Sequence, residues 1–287
     1  MSLNKDLTII FVSYHSKDLI EKPLKKIDKD VQVLIVENSI DTSVKKQLES
    51  KYSNVKVIIP EENLGNGCGI NTGLNLVNTK YAFYLDIDTL PDNTTISELY
   101  AYANKIKNFS ILGPSVNGFK YKEEFYNKKN TTDKVHSMNF MTGCALFFNM
   151  EIIKKIGFFD QNIFLYYEEN DLYLRCLKQN KPIYLIDDAK IDHLGNSSSD
   201  KKFKHEIEVN RNWHLMWSTF YFHKKHYGLI KAYEKTLFKF LSAIAKFLFY
   251  SLINQKEKRL IYFSRISGIF NAMLGKKSWY RPQINKL

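Results

Sequence analysis

The chain has 287 residues, of which 44% are hydrophobic and 25% charged, so it suits one large domain with an appendage or two smaller domains. Cys68, Cys144 and Cys176 lie far apart and form no CxxC pair, which argues against a disulfide framework or a zinc site. Residues 1–16 have only a short apolar run without a small-residue cleavage site, so we do not expect a signal peptide. A reducing cytoplasm is therefore the expected setting.

The net charge of +12 is unevenly distributed along the chain. Residues 1–200 contain 24 lysines and arginines against 26 aspartates and glutamates, a net charge of −2, whereas residues 201–287 contain 18 against 4, a net charge of +14. We therefore predict a body at residues 1–200 and a basic region at residues 201–287, with a boundary near Ser197–Lys202. Basic regions attract nucleic acid, anionic membranes or acidic partners, and this one is too rich in apolar residues to be a disordered arm.

The first half of the chain alternates strand-like and helix-like segments. Four near-continuous apolar runs are typical of strands covered on both faces: Leu7–Ser13, Val31–Glu37, Val55–Pro60 and Tyr81–Asp86. Helix-like stretches lie between them, at Asp18–Ile27, Thr42–Lys51 and Gly69–Val77. This rhythm predicts an α/β fold, a Rossmann-like mostly parallel sheet with helices on both faces and ligands at the carboxyl ends of the strands. The polar residues at those ends are Ser13, Tyr14, Glu37, Asn38, Asp86 and Asp88.

The segment Asn63–Asn75 contains four glycines and precedes a predicted helix. Glycine lets the backbone approach a ligand closely, and helix N-termini favour phosphate groups. The segment follows the third strand and its spacing does not match G-x-G-x-x-G, so we reject dinucleotide binding. Close packing of the helix against the sheet is the structural alternative.

The fourth strand ends in two carboxylates, Asp86 and Asp88. Residues i and i+2 of an extended backbone face the same side, so both side chains can converge on one cation. Alternatively, Asp88 caps the helix predicted within residues 89–106.

The second half of the chain has a less regular pattern. Residues 110–116 predict an edge strand, and an exposed polar loop separates them from a further strand within Phe140–Met150. Helices near Glu151–Ile156 and Glu169–Gln179 and a strand at residues 182–187 follow. His193 lies just after that strand; a lone histidine is usually structural, but with two aspartates on the same edge it is a candidate third ligand for a divalent ion.

An acidic cluster, Glu168, Glu169 and Asp171, directly follows an aromatic run. Helical spacing places Asp171 and Arg175 on one face, where an ion pair would orient the start of the helix. A glutamate pressed against the neighbouring tyrosines would have a raised pKa and act as a base. The alternative is a capping cluster, because acidic residues favour helix N-termini.

The basic region contains a predicted helix at Leu229–Ile253, on which four lysines share one stripe: Lys231, Lys235, Lys239 and Lys246. An uninterrupted run of roughly 20 apolar residues is absent from this helix, so we do not expect it to cross a bilayer. A basic amphipathic helix in the membrane interface fits the pattern. The residues that would then face the membrane are Phe238, Leu241, Ala245, Leu248 and Leu252. Packing on the body of the chain or on a second subunit is the alternative.

Seven motifs together resemble family 2 glycosyltransferases, and within them the rhamnosyltransferase-like bacterial members. In chain order they read "VSYHS", "VENS", "NLGNGCGINTG", "LDIDT", "TGCALFF", "GFFDQNIFLYYEENDLYLR" and "DHLGNSSS". Their order and spacing carry the resemblance, which runs from about residue 7 to residue 230. It implies a GT-A fold, a nucleotide-sugar donor, Mn²⁺ or Mg²⁺ as cofactor, and inversion at the anomeric carbon. The basic region would follow this fold as a C-terminal helical extension.

The resemblance also implies a set of nucleotide-sugar-binding residues: Ser13, Tyr14, Glu37, Asn38, Asn63, Gly67, Asn71 and Asp86. Ser13 and Tyr14 would line the base and ribose. Glu37 stands where the family usually has an aspartate that contacts the base, which is a departure that keeps the carboxylate. Asn63, Gly67 and Asn71 would shape the donor pocket beside the diphosphate.

The resemblance places the metal site and the catalytic base in separate segments. Asp86 and Asp88 match the DxD motif that ties the metal to the diphosphate, and His193 matches the third metal contact. Glu169 stands at the general base, where the family usually has an aspartate, and Glu168 is the alternative. The acceptor-side or orienting residues are Gly143, Asp171 and Arg175.

We therefore predict an inverting glycosyltransferase that builds a cell-surface polysaccharide. The expected partners are dTDP-rhamnose or a UDP-sugar, a glycan or lipid-linked glycan acceptor, and an anionic surface on the inner face of the cytoplasmic membrane. A homodimer through the C-terminal region is the alternative use of that region, and no nucleic acid is expected. The alternative functions are a non-catalytic protein that binds nucleotide sugars and a nucleic-acid-binding protein that uses the basic region.

Overall fold

The computed structural model describes residues 3–127, 131–195 and 203–282. The chain divides into two compact units. The first comprises Met1–Leu64, Cys68–Phe159 and Leu172–Ser199, and the second comprises Gly65–Gly67, Asp160–Asp171 and Asp200–Leu287. The boundary predicted near Ser197–Lys202 lies outside the described residues.

The first unit is built on a single nine-stranded sheet, as far as the described residues show. Its strands are β1 Leu7–Ser13, β2 Gln32–Glu37, β3 Val55–Ile58, β4 Tyr81–Leu85, β5 Thr89–Pro91, β6 Ile111–Val116, β7 Val135–Met138, β8 Ala145–Asn149 and β9 Ile183–His193. They lie in the order β3-β2-β1-β4-β8-β6-β9-β5, and β7 pairs with β9. The four strands predicted in the first half of the chain are thus confirmed to within two residues at each end.

Helices connect these strands. They are α1 Leu3–Asp6, α2 Lys17–Leu24, α3 Thr42–Lys51, α4 Asn66–Asn75, α5 Thr95–Lys105, α6 Met150–Ile156 and α7 Glu168–Lys178, with a short 3-10 helix at Glu123–Phe125. Strand β5 separates Asp88 from α5, whose N-cap residue is Thr94. The alternative in which Asp88 caps that helix is therefore wrong.

The sheet is parallel in its first part and mixed in its second. Strands β1, β2, β3 and β4 pair in parallel, as the βαβ rhythm predicts. Strand β8 then runs antiparallel between β4 and β6, and β6 pairs in parallel with β9. The prediction of an edge strand at residues 110–116 is wrong, because β6 has a hydrogen-bonded neighbour on each side.

Two apolar clusters cover the two faces of this sheet. Alternate residues of each strand belong to different clusters: Phe83 lies in one and Tyr84 in the other. Helix α4 packs closely on β1, because a Cβ atom at Gly73 would come within 2.6 Å of Ile10, and one at Gly69 within 2.9 Å of Val12. Close helix–sheet packing, the structural alternative for the glycine-rich segment, therefore accounts for these two glycines.

The second unit is mainly helical in its described part. It contains α8 Lys204–Tyr227, α9 Leu229–Leu252 and α10 Lys256–Met273. All three helices contribute to one apolar core, formed by Trp213, Trp217, Phe220, Ala232 and Ala272. Helix α9 confirms the helix predicted at Leu229–Ile253. Within residues 3–127, 131–195 and 203–282, every helix is too short or too polar to span a bilayer.

Candidate functional site

The carboxyl ends of β1 and β2 bring three predicted nucleotide-binding residues together. Ser13 lies opposite Glu37 in the parallel register, and the Asn38 amide donates to the Ser13 carbonyl over 2.7 Å. Glu37 is fully buried, and its Oε1 accepts from the Ser39 amide at 2.9 Å and from the Ser39 hydroxyl at 2.5 Å. Glu37 Oε2 and Ser13 Oγ are buried without a hydrogen-bond partner among the described residues. Both atoms are therefore available to a polar ligand.

The neighbouring loops contribute Tyr14 and Asn63. The Tyr14 ring meets His15 edge-on at 4.6 Å between ring centroids, and it is partly exposed. Asn63 precedes Leu64, whose amide donates to Asn38 Oδ1 over 3.5 Å. This hydrogen bond brings the segment Asn63–Leu64 to the end of β2 in the first unit.

Asn71 holds another loop through its side chain. Its Nδ2 donates to the Phe159 carbonyl and its Oδ1 accepts from the Phe159 amide, each over 2.9 Å. Asn71 is buried, so this reciprocal pair closes the loop that follows α6 onto α4. The place of Asn71 beside a donor diphosphate stays a prediction.

The end of β4 orients Asp86 by backbone and side-chain hydrogen bonds. The Asp86 amide donates to the Cys144 carbonyl over 2.8 Å, and the Tyr84 hydroxyl donates to Asp86 Oδ1. Tyr84 stands two residues before Asp86, so both side chains leave the strand on the same side. Asp88 follows in the turn to β5 and is 5% exposed.

His193 joins Asp86 and Asp88 through strand pairing. Strand β5 pairs antiparallel with β9, so Thr89 lies opposite His193, and the Leu194 amide donates to the Asp88 carbonyl over 3.0 Å. His193 Nε2 lies 3.5 Å from Asp88 Oδ1. One ligand atom from each of the three residues lies within 4.8 Å of the others. The hydrogen bond to Asp88 raises the pKa of His193 above its usual value.

Gly143 and Arg175 also belong to the first unit. Gly143 lies in the loop before β8, next to the Cys144 carbonyl that holds Asp86. Arg175 Nη1 donates to the carbonyls of Ile156 and Gly157, over 3.2 Å and 2.7 Å. Arg175 thus caps the carboxyl end of α6.

In the second unit, α7 begins with the acidic cluster. Tyr166 and Tyr167 both have positive φ angles, 66° and 68°, which turn the chain into the helix. Glu168 is buried, and its Oε1 accepts from Asn66 Nδ2 over 3.5 Å. Glu169 is half-buried, and the burial of its carboxyl raises the pKa of that group above the usual value. A raised pKa suits a proton acceptor better than a structural cap.

Gly67 and Asp171 complete the predicted residues of the second unit. Gly67 lies in the first turn of α4, one residue after Asn66. Asp171 is fully buried, and its Oδ1 lies 2.5 Å from Lys225 Nζ and 2.7 Å from His226 Nε2. The ion pair predicted between Asp171 and Arg175 stays a prediction.

Comparisons with known proteins identify the family. The model of glycosyl transferase family 2 matches residues 8–157, just over half of the chain. The chain belongs to this family. The resemblance to family 2 glycosyltransferases seen in the motifs is thereby confirmed.

Relatives and solved structures agree with this assignment. The chain is 29% identical over 192 residues to an uncharacterized glycosyltransferase of Acanthamoeba polyphaga mimivirus, covering 61% of this chain and 73% of that protein. It is 23% identical over 197 residues to the low-salt glycan biosynthesis hexosyltransferase of Haloferax volcanii, covering 61% of this chain and 62% of that protein, which is less than two thirds of its length. A mannosyltransferase from Pyrobaculum calidifontis, in complex with GDP-Man and Mn²⁺, superposes with a TM-score of 0.57 at 13% identity, covering 95% of this chain and 88% of that one. The fold is therefore GT-A, with C-terminal helices.

Three side chains of this family 2 enzyme offer ligand atoms that suit a divalent metal ion. Asp86 and Asp88 supply carboxylate oxygens and His193 an imidazole nitrogen, and hard and borderline divalent ions accept this mixture. Asp88 is buried beside an imidazole and Asp86 is oriented by Tyr84, so two of the three ligands are held before any ion binds.

Sequence reasoning missed several residues that contact the predicted site residues within each unit of this family 2 glycosyltransferase. Tyr84 was detectable, because it stands on the same strand face as Asp86. Ser39 was detectable too, since a serine two residues after a carboxylate commonly bonds it locally. Lys225 and His226 carried no local signal that tied them to Asp171.

Proposed function

We propose that this family 2 glycosyltransferase is inverting and metal-dependent, and that it moves a hexose from a nucleoside-diphosphate donor to a hydroxyl group of a glycan or lipid-linked glycan in cell-surface polysaccharide synthesis. The observation that carries the proposal is the cluster of Asp86, Asp88 and His193 at the end of β4. The hexosyltransferase relative and the GDP-Man complex support the donor class. dTDP-rhamnose is the first donor to test and UDP-sugars the second.

The metal cluster would assist the departure of the diphosphate, which is a poor leaving group. A divalent ion, when bound, supplies Lewis-acid stabilisation of the charge that develops on the departing diphosphate. Asp86 and Asp88 would hold the ion through carboxylate oxygens, and His193 through its imidazole. The imidazole favours Mn²⁺ over Mg²⁺, because Mg²⁺ prefers all-oxygen sites.

Ser13 and Glu37 would bind the nucleotide base. Glu37 Oε2 and Ser13 Oγ are buried without a hydrogen-bond partner among the described residues, and a buried unsatisfied acceptor is costly. A base that donates an N–H to Glu37 Oε2 would remove that cost. Ser39 fixes the carboxylate through its other oxygen, so the orientation of Glu37 is set in advance.

Glu169 would act as the general base on the acceptor hydroxyl. A hydroxyl is a weak nucleophile, and a carboxylate that takes its proton as it attacks raises the rate. Burial raises the pKa of Glu169, which makes it a stronger proton acceptor than an exposed glutamate. Inversion follows from a single displacement at the anomeric carbon.

The exposed face of α9 supports docking on an anionic membrane. Six of its exposed apolar residues lie along one stripe: Ile230, Leu237, Phe238, Leu241, Leu248 and Leu252. The opposite stripe, with Ala232, Thr236 and Ala243, is buried in the second unit. Lys231, Lys235, Lys239 and Lys246 flank the apolar stripe, and each cation near an anionic surface contributes about 1 kcal/mol. This charge complementarity favours the inner face of the cytoplasmic membrane over a second copy of the chain.

A donor panel tests the proposal. Thermal shift is measured with dTDP-rhamnose, UDP-hexoses, UDP-galactofuranose and GDP-mannose, each with Mn²⁺, Mg²⁺ or EDTA. We expect one donor to raise the melting temperature only with metal, and NMR of the product to show an inverted anomeric configuration. A chain that no nucleotide sugar stabilises contradicts the proposal. Donor binding without turnover on any glycan acceptor would identify a non-catalytic binding protein.

A further inference from the structure

A pocket of about 240 Å³ lies in the first unit beside strands β6 and β9. Its lining includes three aromatic rings, a carboxylate, a hydroxyl and an ammonium group, contributed by Phe119, Tyr121, Tyr126, Asp187, Ser115 and Lys120. The volume is below the ~300–1,000 Å³ of typical small-molecule sites, so it suits a single ring. Its lining residues belong neither to the metal cluster nor to the predicted nucleotide-binding residues.

The aromatic residues form a fixed wall. Phe119 and Tyr121 meet at right angles with ring centroids 4.9 Å apart, and Tyr121 meets Tyr126 in the same way at 6.4 Å. The Tyr121 hydroxyl lies 2.9 Å from Thr142 Oγ1 and accepts from the Thr142 amide over 3.2 Å. Phe119 is nevertheless 47% exposed. A ring that served only the core would be buried, so the exposed ring face is open to a ligand.

An irregularity in strand pairing aims Asp187 at the pocket. Pro114 pairs with Ile186, but the next residue, Ser115, pairs with Lys190, so three residues of β9 bulge out of the register. Bulges of this kind redirect side chains. Asp187 Oδ1 accepts from Ser115 Oγ over 2.8 Å, and His136 Nε2 lies 2.7 Å from Asp187 Oδ2.

The next residue of the bulge makes different contacts. Asp188 accepts from the Tyr102 hydroxyl over 2.7 Å and from Lys134 Nζ over 2.9 Å, and it is not part of the pocket lining. The two aspartates are adjacent in the chain and carry the same charge, but their surroundings differ. A carboxylate offers about four lone-pair sites, so Asp187 keeps acceptor capacity after its two contacts.

We infer that this pocket binds one sugar ring of the acceptor glycan. The apolar C–H face of the ring would pack against Phe119 and Tyr121, whose ring faces carry partial negative charge. Hydroxyl groups of the sugar would donate to Asp187, and the Lys120 ammonium would contact a hydroxyl or an acidic substituent. The inference rests on the proposed function, because it names the site for the second substrate of the same reaction.

Hydrogen bonds connect this subsite to the metal cluster within the first unit. Tyr121 bonds Thr142, and two residues later the Cys144 carbonyl accepts from the Asp86 amide. The residue between them is Gly143, which the resemblance predicts to be an acceptor-side or orienting residue. The short segment Thr142–Cys144 thus has the sugar subsite at one end and the metal-binding turn at the other.

Saturation-transfer NMR on the full chain tests the subsite. The probes are methyl glycosides of glucose, galactose, mannose, rhamnose, N-acetylglucosamine and glucuronic acid, without a nucleotide donor. We expect at least one glycoside to bind, and Phe119→Ala and Asp187→Asn each to weaken its Kd about tenfold through lost ring contact or lost charge-assisted hydrogen bonds. Asp188→Asn is the matched control and should keep the wild-type Kd. Phe119 is half exposed, so its substitution should leave the fold intact.

The outcomes separate this inference from the proposed function. Absence of binding by every glycoside, or equal Kd values for wild type, Phe119→Ala and Asp187→Asn, overturns the subsite. Calorimetry with nucleoside diphosphate and Mn²⁺ on the same preparations tests the donor side independently. If the chain binds the nucleotide but none of the glycosides, the subsite alone is refuted. If it binds a glycoside but no nucleotide, the proposed function alone is refuted. In transfer assays, Phe119→Ala should raise the acceptor KM while kcat at saturating acceptor changes little.

Discussion

Lys225 donates to the buried carboxylate of Asp171 over 2.5 Å, which ties α8 to the first turn of α7 within the second unit. Asp171 also contacts His226, and Lys225 reaches Asp160 at 2.7 Å. Glu168 and Glu169 stand in the same first turn of α7. The basic helical region therefore supports the segment that carries the predicted catalytic base.

Substitution Lys225→Met should destabilise the second unit. The variant leaves the buried Asp171 with one charge partner fewer, and loss of a hydrogen bond to a buried acceptor costs about 1–3 kcal/mol. All three tryptophans, Trp213, Trp217 and Trp279, lie in this unit, so denaturation followed by tryptophan fluorescence reports on it.

The control for this prediction is Lys231→Met. Lys231 forms an exposed ion pair with Glu234 at 2.8 Å, and such pairs contribute about 0.5 kcal/mol or less. Equal losses of stability in the two variants would contradict a special role for the Lys225–Asp171 pair.

Substitution Asp88→Asn should strongly lower metal-dependent turnover. The variant keeps the shape of the side chain but removes one charge from the cluster, and loss of one electrostatic contact in a transition state typically costs about 10²–10³ in rate. Thermal shift by a nucleoside diphosphate with Mn²⁺ should disappear as well. Asp92→Asn, at an exposed carboxylate four residues along the chain, is the control. Full activity of Asp88→Asn in EDTA would show that the metal assignment is wrong.

Substitution Glu169→Gln should lower turnover by roughly 10²–10⁴, because a side-chain amide cannot take the proton of the acceptor hydroxyl. The affinity for the nucleotide sugar should stay nearly unchanged. Burial raises the pKa of Glu169. As the pH is lowered, the wild-type rate should therefore begin to fall at a higher pH than it would with a base of ordinary glutamate pKa. This acidic limb should be absent from the residual activity of the variant. If Glu168→Gln shows this behaviour and Glu169→Gln does not, the base is Glu168.

The same pKa shift has a consequence for stability. A carboxyl whose folded pKa is raised favours the folded state when protonated, and that contribution is lost as the pH rises through the folded pKa. Glu169→Gln should therefore be at least as stable as wild type at neutral pH, with the difference vanishing in acid. Chemical denaturation at pH 4 and pH 7.5 measures the effect. A Glu169→Gln variant that is less stable than wild type at pH 7.5 but not at pH 4 contradicts the prediction.

Vesicle co-sedimentation tests the membrane surface of α9. Binding should rise with anionic lipid and fall with salt, because lysines and apolar side chains act together. Phe238 is 82% exposed and Leu252 is 86% exposed, so Phe238→Glu and Leu252→Glu should fold normally. Each should weaken binding about tenfold or more, since an apolar contact is lost and a like charge is added to the membrane face.

Point substitutions are the right variants here, because α9 and α10 contribute to the core of the second unit and their deletion would expose it. Leu76→Glu, at an exposed apolar residue of the first unit, is the control for the change of charge. A chain that ignores anionic vesicles at low salt and elutes as a stable dimer would assign the α9 face to self-association.

The sequence alone determined the local elements and the acidic motifs. Near-continuous apolar runs predicted β1 to β4, and the spacing of Asp86 and Asp88 at a strand end predicted their shared face, because both patterns depend only on neighbouring residues. The concentration of positive charge and the bounds of α9 were readable in the same way. Seven short motifs in the family's order were enough to predict the family.

Only the tertiary structure decided which distant residues meet. The pairing of β5 with β9 brings His193 to Asp88, and the bulge in β9 separates the surroundings of Asp187 from those of Asp188. Strand β8 enters the sheet antiparallel beside β6, which a chain-order pattern of strands and helices does not reveal. The physical reason is that periodicity reports burial of each segment separately, whereas register and partner choice depend on long-range packing of segments far apart in the chain.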